Sequence, residues 1–362
     1  NFMNQKVDVC IVGSGPSGAL LAYLLAKKNI SVLLIERTDQ IAKTFRGEHI
    51  NEEGEMILKK YGLFDEVAKL GLLKMERLEY WLDGQLAKTI TPNPAVGHLG
   101  IHVPQGHLLQ AIMEAAQAYD TFGYRLNSRV TELLQDASGR YNGVRAICNG
   151  EEFVVNCRLV VGADGRYSTV RKKANIDTTI RKHGYDLLWA RIPAPAGWSP
   201  SIKMALVDGM QISLFTQVKG YVQIGWNIAQ GSYPTLRKQP FVSFIEKLIK
   251  AFPELQETVT KHITSWQDFV LLDVFSSQTE DWGRNGLALI GDAVHTMTPT
   301  GAFGLNSAMK DADILAEILE KQTIEQLDLL TCTAARKREI EKIQAVQIEK
   351  EQGFASQFTL LA

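Results

Sequence analysis

Residues 7–26 constrain the fold of this chain more than any other stretch. An apolar run at 7–12, typical of a buried parallel strand, leads into Gly13, Gly15 and Gly18, spaced G-x-G-x-x-G, and then into the helix-forming run 19–26. Gly13 permits a tight turn, Gly15 lets a pyrophosphate approach the backbone, and Gly18 lets the helix pack closely on the strand. Since a helix N-terminus attracts phosphates, the stretch predicts a dinucleotide site.

A second strand-like run, 31–35, ends in Glu36. In dinucleotide-binding units, a carboxylate at about this distance from the glycines bonds a ribose hydroxyl. The order of strand, glycine loop, helix, strand and acid is more specific than the glycines alone. By itself, however, it does not distinguish NAD from FAD.

Two later strands end in similar turns. The apolar run from 159 ends in Gly162-Ala163-Asp164-Gly165, with Arg166 and Arg171 close behind. The apolar run from 287 ends in Gly291-Asp292, and a glycine-rich loop then enters a helix near Asn306. The basic residues after the first turn and the helix N-terminus after the second favour loops that face an anionic or polarised ligand.

Composition excludes several classes of function. The chain has 362 residues, with 39 Lys and Arg against 40 Asp and Glu, so it lacks the basic excess of a nucleic-acid-binding protein. Its four cysteines show no CxxC spacing, which favours free thiols in a reducing compartment. The apolar runs are too short for an integral membrane segment, and the first strand leaves no room for a signal peptide. We therefore expect a cytoplasmic protein.

Residues 187–227 read as short antiparallel strands, whose alternation presents one face to a cavity. Gln211, Ser213 and Phe215 fall on one face of their strand, and so do Tyr221 and Gln223. The candidate substrate residues on these strands are Arg191, Gln211, Ser213, Phe215, Tyr221 and Gln223.

Other segments give simpler expectations. Asp83-Gly84 predicts a hairpin within 77–90, 51–70 reads as one helix, and the proline- and glycine-rich stretch 91–106 reads as a loop. His98, His102 and His107 lie in or beside that loop, where glycine and proline interrupt any helix that would align them, so no metal site is predicted. Residues 336–351 form a charged helix that packs onto the body.

Together the three strand ends resemble the fingerprints of the FAD-dependent aromatic monooxygenases, the para-hydroxybenzoate hydroxylase-like family of group A flavoprotein hydroxylases. The resemblance runs in order from Val7 to about Leu319. It implies an α/β fold, with a Rossmann-like FAD-binding domain of the glutathione-reductase type, an inserted antiparallel-sheet substrate domain and a C-terminal helix. The implied boundaries are 1–76, 100–183 and 275–330 for the FAD-binding domain, 77–99 and 184–274 for the sheet domain, and 331–362 for the C-terminal helix.

The resemblance also implies residue roles. The first glycine loop would hold the FAD pyrophosphate, Glu36 the adenosine ribose and Asp292 the ribityl hydroxyls. Arg46 would approach the phosphate and ribityl chain, and Gln105 would contact the cofactor. The implied cofactor-binding residues are Gly13, Gly15, Pro16, Ser17, Gly18, Glu36, Arg37, Arg46, Gln105, Asp164, Gly165, Arg171, Gly291, Asp292, Pro299, Gly301, Gly304, Leu305 and Asn306.

Two of these residues would also serve a nicotinamide cofactor. Asp164 matches the motif that supports both FAD and NAD(P)H, and Arg171 would lie near the phosphates of NAD(P)H. Pro299, Gly304, Leu305 and Asn306 would form the catalytic loop against the flavin ring. No side-chain base is assigned.

The flavin-ring loop departs from the family pattern. Gly301-Ala302-Phe303-Gly304 replaces the commoner Gly-Gly-Gln-Gly, and Ala308 stands where relatives have glycine. The resemblance implies that these changes alter ring contacts or flavin mobility.

The implied activity is hydroxylation of an aromatic or conjugated small molecule, with NAD(P)H and O2 as co-substrates and oxygen transfer from a flavin C4a-hydroperoxide, by a monomer or homodimer. Three alternatives stay open. A reductase on the same scaffold would add no oxygen from O2. A halogenase would need a W-x-W-x-I-P motif, which the sequence around Trp226 does not supply. A catalytically silent FAD-binding protein is suggested by the altered loop.

Overall fold

The computed structural model describes residues 4–41, 47–354 and 358. The chain divides into two compact units. The first comprises the chain up to Leu70, Pro104–Arg181 and Ser276–Ala345, and the second comprises Gly71–Val103, Lys182–Phe275 and the chain from Val346. The segments 77–99 and 184–274 thus fall inside the second unit, whereas 331–362 is divided between the two.

Strands occur in both units of the described chain. In chain order they are β1 (Gln5–Val12), β2 (Val32–Ile35), β3 (Gly47–Ile50), β4 (Leu73–Lys74), β5 (Arg77–Leu82), β6 (Gln85–Ile90), β7 (Ile101–Pro104), β8 (Phe122–Arg125), β9 (Ser128–Gln135), β10 (Tyr141–Cys148), β11 (Glu151–Gly162), β12 (Thr178–Lys182), β13 (Tyr185–Pro193), β14 (Ser201–Val207), β15 (Met210–Gln217), β16 (Tyr221–Ala229), β17 (Val270–Leu272), β18 (Phe275–Thr279), β19 (Gly283–Arg284) and β20 (Leu287–Leu289).

Helices also occur in both units. In chain order they are α1 (Pro16–Lys27), α2 (Glu52–Lys60), α3 (Phe64–Leu70), α4 (Gln105–Ala116), α5 (Thr169–Lys173), α6 (Tyr233–Leu236), α7 (Phe241–Ala251), α8 (Gln256–His262), α9 (Phe303–Lys321) and α10 (Leu329–Gln352). None is both long enough and apolar enough to cross a bilayer, within the residues that the structure describes.

The first unit is built on a sheet in the order β19-β20-β11-β1-β2-β8. β1 pairs in parallel with β2 and β11, and β11 pairs in parallel with β20. β2 is buried along its whole length, as expected for a parallel strand covered on both faces. Helix α1 connects β1 to β2 and packs against α4 and α9. Because parallel strands end at the same edge, the turns after β1, β11 and β20 meet there.

The second unit contains a sheet in the order β17-β13-β16-β15-β14-β5-β6. Its neighbours pair antiparallel except β14 with β5. Asp83 and Gly84, at φ 47° and 83°, join β5 to β6 as a two-residue hairpin turn that needs positive φ at both positions. One face of this sheet is covered by α7 and α8, where Trp226 stacks on Phe244 with ring centroids 3.8 Å apart.

Two segment predictions were wrong in detail. Residues 51–70 form two helices, because Gly62 adopts a φ of 71° that ends the first. The stretch 91–106 is not wholly a loop, since it contains β7 and the first turn of α4. Ile101 and Val103 are fully buried, which favours a short strand despite the flanking glycine and proline.

Candidate active site

The three strand-end turns, far apart in sequence, lie against one another in the first unit. A Cβ at Gly13 would come 2.3 Å from the carbonyl oxygen of Ala163, so the first turn touches the second. A Cβ at Gly291 would come 2.6 Å from the Oγ of Ser17, so the third turn touches the start of α1. The parallel sheet therefore gathers all three into one site.

The glycines of the first loop differ in what surrounds them. Gly13 has a φ of 104°, and a Cβ at Gly18 would lie 2.0 Å from the carbonyl oxygen of Gly13, so the protein itself requires both. Among the residues that the structure describes, no atom lies within 4 Å of where a Cβ of Gly15 would be. It also caps α1 with no side-chain hydrogen bond to the first turn. An open cradle at an uncapped helix N-terminus fits a pyrophosphate.

Glu36 is held as an anion at the end of β2. One carboxylate oxygen accepts hydrogen bonds from the backbone N and Oγ of Ser14, at 3.1 and 2.9 Å, and the other accepts from the backbone N of Thr38 at 2.7 Å. Burial acts to raise the pKa of Glu36, but these hydrogen bonds outweigh it and hold the pKa below its ordinary value. Arg37 is exposed beside it, and Arg46 lies outside the described residues.

Asp164 organises the second turn. Its carboxylate accepts from the Oγ of Ser168 and from the backbone N of Thr169 and Val170, the latter two at 2.8 and 3.1 Å, and so satisfies the start of α5. Burial raises the pKa of Asp164 despite these bonds. Gly165 has a φ of 85° and allows the turn. These contacts assign Asp164 to holding the turn; a direct cofactor contact stays a prediction.

Arg171 faces inward rather than outward. It is 5% exposed, and its Nη1 donates to the carbonyl oxygen of Ala293 at 2.7 Å. Burial lowers the pKa of Arg171. The contact joins the second turn to the segment after Asp292. Arg171, bonded in this way, holds parts of the site together. Its contacts give no support to the expected role at NAD(P)H phosphates.

The third turn presents Asp292 at its tip. Gly291 adopts a φ of 62°, and its backbone N donates to Oδ2 of Asp311 at 2.8 Å. The Asp292 side chain is half-buried, and its carboxylate has no hydrogen bond to the residues that the structure describes. Its carboxylate oxygens therefore remain available as hydrogen-bond acceptors.

The loop before α9 has the most constrained backbone of the site. Gly301 and Ala302 both adopt left-handed conformations, with φ of 74° and 55°, and the ring of Phe303 lies against Gly301. For Ala302 this conformation costs about 1–2 kcal/mol, a strain found most often at functional sites. Helix α9 then begins without a side-chain cap. A Cβ at Gly304 would meet none of the described residues within 4 Å, so this helix N-terminus is also an open cradle.

Asn306 holds that loop in place. Its Nδ2 donates to the carbonyl oxygens of His49 and Ala302, each at 3.0 Å, and its Oδ1 accepts from the backbone N of Asn51 at 3.2 Å. The side chain is 2% exposed. Asn306 thus fixes the position of the loop relative to β3 and the start of α2. Pro299 precedes the loop as the cap of its short 3-10 turn.

Gln105 opens helix α4 and also has a protein partner. Its Nε2 donates to a carboxylate oxygen of Glu48 at 3.0 Å. Glu48 lies on β3, next to the strand residue that Asn306 contacts. The predicted cofactor contact of Gln105 is untested, and this bond orients its amide.

In the second unit, the strand register places the candidate substrate residues together. Gln223 pairs with both Arg191 and Phe215, Ser213 pairs with Gly225, and Gln217 pairs with Tyr221. These residues share one sheet face, and the core under α7 and α8 occupies the other. The guanidinium of Arg191 lies 4.2 Å from the ring centroid of Tyr221. Gln211 lies on the same face, opposite Leu206.

Sequence reasoning missed a buried group behind the third turn: His295, Asp311 and Arg336. Their signal was weak because a histidine, an aspartate and an arginine on separate segments show no spacing that points to contact. Two serines were also underestimated, Ser14 at Glu36 and Ser168 at Asp164.

Comparison with known proteins agrees with this site. A family model described as FAD binding domain matches residues 6–343. A 6-methylpretetramide 4-monooxygenase of Streptomyces rimosus is 32% identical over 354 residues, which cover 94% of this chain and 82% of that protein. A digeranylgeranylglycerophospholipid reductase of Methanosarcina acetivorans is 27% identical over 327 residues, covering 87% and 75%.

A solved structure shares the whole fold. PqsL of P. aeruginosa, in complex with 2-aminobenzoylacetate, superposes with a TM-score of 0.82 at 21% identity, covering 98% of this chain and 97% of that one. At this identity the likeness shows the fold alone. The folds agree along nearly their entire lengths.

Proposed function

This chain belongs to the family of FAD-dependent aromatic monooxygenases, and from that premise we propose which residues bind its cofactor and which kind of substrate it takes. FAD is its cofactor, NAD(P)H its co-substrate, and hydroxylation its reaction. FAD supplies the redox chemistry, which takes electrons from NAD(P)H and activates O2 for transfer of one oxygen atom to the substrate.

We assign FAD to the open cradles of the first unit. The amides at the start of α1, beside Gly15, hold the pyrophosphate, and Glu36 bonds the adenosine ribose. Asp292 bonds the ribityl chain. The N-terminus of α9 at Gly304 faces the flavin ring, where its dipole stabilises negative charge by about 0.3–1 kcal/mol, up to about 2 when partly buried. The observation that carries this assignment is the space left at Gly15 and Gly304 at two helix N-termini, beside Gly13, Gly18 and Gly291, whose Cβ positions are filled by protein.

We assign the substrate to the face of the second unit's sheet that lies opposite α7 and α8. The face combines aromatic rings with amide side chains and carries Arg191 and Lys88 near its two ends. Across β5, β6 and β13–β17, all of which the structure describes, no Asp or Glu of the strands falls on it, and the one carboxylate bonded to Tyr185 there, that of Glu351, comes from α10. Such a face suits a flat aromatic substrate with phenolic, enolic or carboxylate oxygens, since aromatic rings stack on it and the cations balance negative charge.

The relative from Streptomyces rimosus is named for 6-methylpretetramide, and we propose a comparable oxygen-rich aromatic compound for this chain. The test is NAD(P)H consumption across a panel of phenols, quinolones and aromatic polyketides, with ¹⁸O2 and mass spectrometry of the product. We expect one labelled oxygen per turnover. A reduced product without label would favour the reductase alternative, which the relative from Methanosarcina acetivorans represents.

Arg191→Gln tests the substrate face. It should raise KM for anionic substrates and leave KM for neutral substrates unchanged, because the substitution removes only the charge attraction. Arg237→Gln, an exposed arginine that lies against Tyr233, is the matched control. Equal effects of Arg191→Gln on neutral and anionic substrates would reject a role in charge recognition.

We further propose a cytoplasmic location and a monomeric or homodimeric state. The buried free thiols of Cys10, Cys148 and Cys157 support a reducing compartment. Light scattering of the purified protein measures the oligomeric state.

A further inference from the structure

A buried cluster of three charged or titratable side chains lies behind the Gly291-Asp292 turn. Asp311 of α9, Arg336 of α10 and His295 are 4%, 5% and 1% exposed. Because burying such groups is costly unless they are paired, their arrangement needs a reason beyond filling space.

Gly291 is held through both the N–H and the C=O of its backbone. Asp311 Oδ2 accepts from the backbone N of Gly291 at 2.8 Å and is also hydrogen-bonded to Nε2 of His295. The backbone N of His295 in turn donates to the carbonyl oxygen of Gly291 at 3.0 Å. The left-handed conformation of Gly291, which sets the direction of Asp292, is therefore fixed by two directed bonds.

Arg336 connects this turn to the beginning of α9. Its Nε donates to Asp311 Oδ1 at 2.7 Å, and its Nη2 donates to the carbonyl oxygen of Ser307 at 2.9 Å. One rigid guanidinium thus binds both the acid that holds Gly291 and the first turns of α9. Asp311 of α9 thus joins the two segments assigned above to the ribityl chain and the flavin ring, and Arg336 of the C-terminal helix orients its carboxylate.

The charges of the cluster are balanced. Burial acts to raise the pKa of Asp311, but His295 and Arg336 outweigh it and hold the pKa below its ordinary value, so the carboxylate is ionised. The Nε2 of His295 is the ring nitrogen that bonds Asp311, and its Nδ1 has no hydrogen-bond partner among the described residues.

We propose that Asp311, His295 and Arg336 are positioning residues that align the Gly291-Asp292 turn with the N-terminus of α9, so that FAD affinity depends on α10 although no residue of this cluster touches FAD. The inference rests on the assignment of FAD to those two segments.

The test is FAD binding to the apoproteins of four variants, measured by flavin fluorescence, alongside thermal unfolding of the same apoproteins. Arg336→Met and Asp311→Asn should raise the Kd of FAD roughly 10- to 100-fold, the range for partners that orient the groups contacting a bound metal. Arg338→Met removes an exposed arginine from the same helix and should leave the Kd unchanged. Arg336→Lys keeps the charge without the two-pronged geometry and should restore affinity only in part.

The outcomes are separable. Wild-type Kd values in Arg336→Met and Asp311→Asn, with only a lower unfolding temperature, would make the cluster merely structural and overturn the proposal. If Arg336→Met does not fold, Arg336→Lys decides, and a wild-type Kd there rejects the idea. Asp292→Ala checks the premise, since an unchanged Kd of FAD in that variant rejects the site assignment. If Asp292→Ala raises the Kd but Arg336→Lys has the Kd of the wild type, only the role of the cluster is rejected.

Discussion

Gly15→Ala should abolish tight FAD binding without harming the protein that binds it. The backbone of Gly15 is at φ −69° and ψ −175°, which alanine adopts freely, and no atom of the described part of the chain lies within 4 Å of the new Cβ. The added methyl group instead fills the space that we assign to the pyrophosphate. The variant therefore tests whether the space at Gly15 is left for a ligand or is required for folding.

The magnitudes follow from the local contacts. A displaced pyrophosphate loses at least one charge-assisted hydrogen bond to the start of α1, each of about 1.5–3 kcal/mol, so the Kd of FAD should rise about 10- to 150-fold. The free energy of unfolding of the apoprotein should stay the same or rise by about 0.4–1 kcal/mol, because alanine restricts the unfolded chain.

Gly13→Ala should behave in the opposite way. Its φ of 104° and the 2.3 Å approach of its Cβ to the carbonyl oxygen of Ala163 combine backbone strain with overpacking. These effects cost about 1–2 and about 1–3 kcal/mol, so the apoprotein itself should be destabilised.

The assay is urea unfolding of each apoprotein together with FAD titration by flavin fluorescence. Gly123→Ala on β8 is the matched control, since its Cβ would make only an ordinary contact with Leu33 at 3.5 Å. A wild-type Kd in Gly15→Ala would refute the placement of the pyrophosphate. If the apoprotein of Gly15→Ala were as unstable as that of Gly13→Ala, the reasoning that Gly15 has open space around it would be refuted.

Three further predictions concern other parts of the molecule. Burial and the hydrogen bond to Asp313 raise the pKa of Tyr61 to about 12. Since the pKa in the unfolded chain is about 10, the stability that this tyrosine contributes is complete below about pH 10 and is lost as the pH rises towards about 12. Tyr61→Phe should reduce that loss of stability, as measured by urea unfolding at alkaline pH. Trp226→Ala removes a fully buried ring stacked on Phe244 and should lower the free energy of unfolding by about 3–5 kcal/mol in chemical denaturation, whereas a loss under 1 kcal/mol would contradict the packing. Gly304→Ala should leave the apoprotein stable but slow flavin reduction in stopped-flow, because its Cβ enters the space assigned to the ring; an unchanged rate would place the ring elsewhere.

The sequence predicted those features that depend on local pattern. Apolar runs ending in glycine and acid identified β1, β11 and β20, and parallel pairing then brought their turns together. Strand alternation predicted that Ser213 and Phe215 share a face, and the register adds Arg191 and Gln223 to it.

The rest depends on contacts between distant residues. Arg171 looked like a phosphate ligand, but it is buried against the carbonyl oxygen of Ala293. Asn306 was expected at the flavin ring as part of its loop, and the structure shows that its side chain is engaged by His49 and Asn51. Short-range pattern cannot reveal such contacts, because the partner is chosen by packing in three dimensions.

The two faces of the second unit's sheet divide its residues between separate demands. Along β15 and β16, side chains alternate between the core covered by α7 and α8 and the opposite face, which we assign to the substrate. A substitution at Ser213, Phe215 or Gln223 therefore leaves neighbouring core residues in place. Substitution at every second position therefore changes the face assigned to the substrate while the residues packed under α7 and α8 stay the same, which makes this face the natural region for randomised libraries.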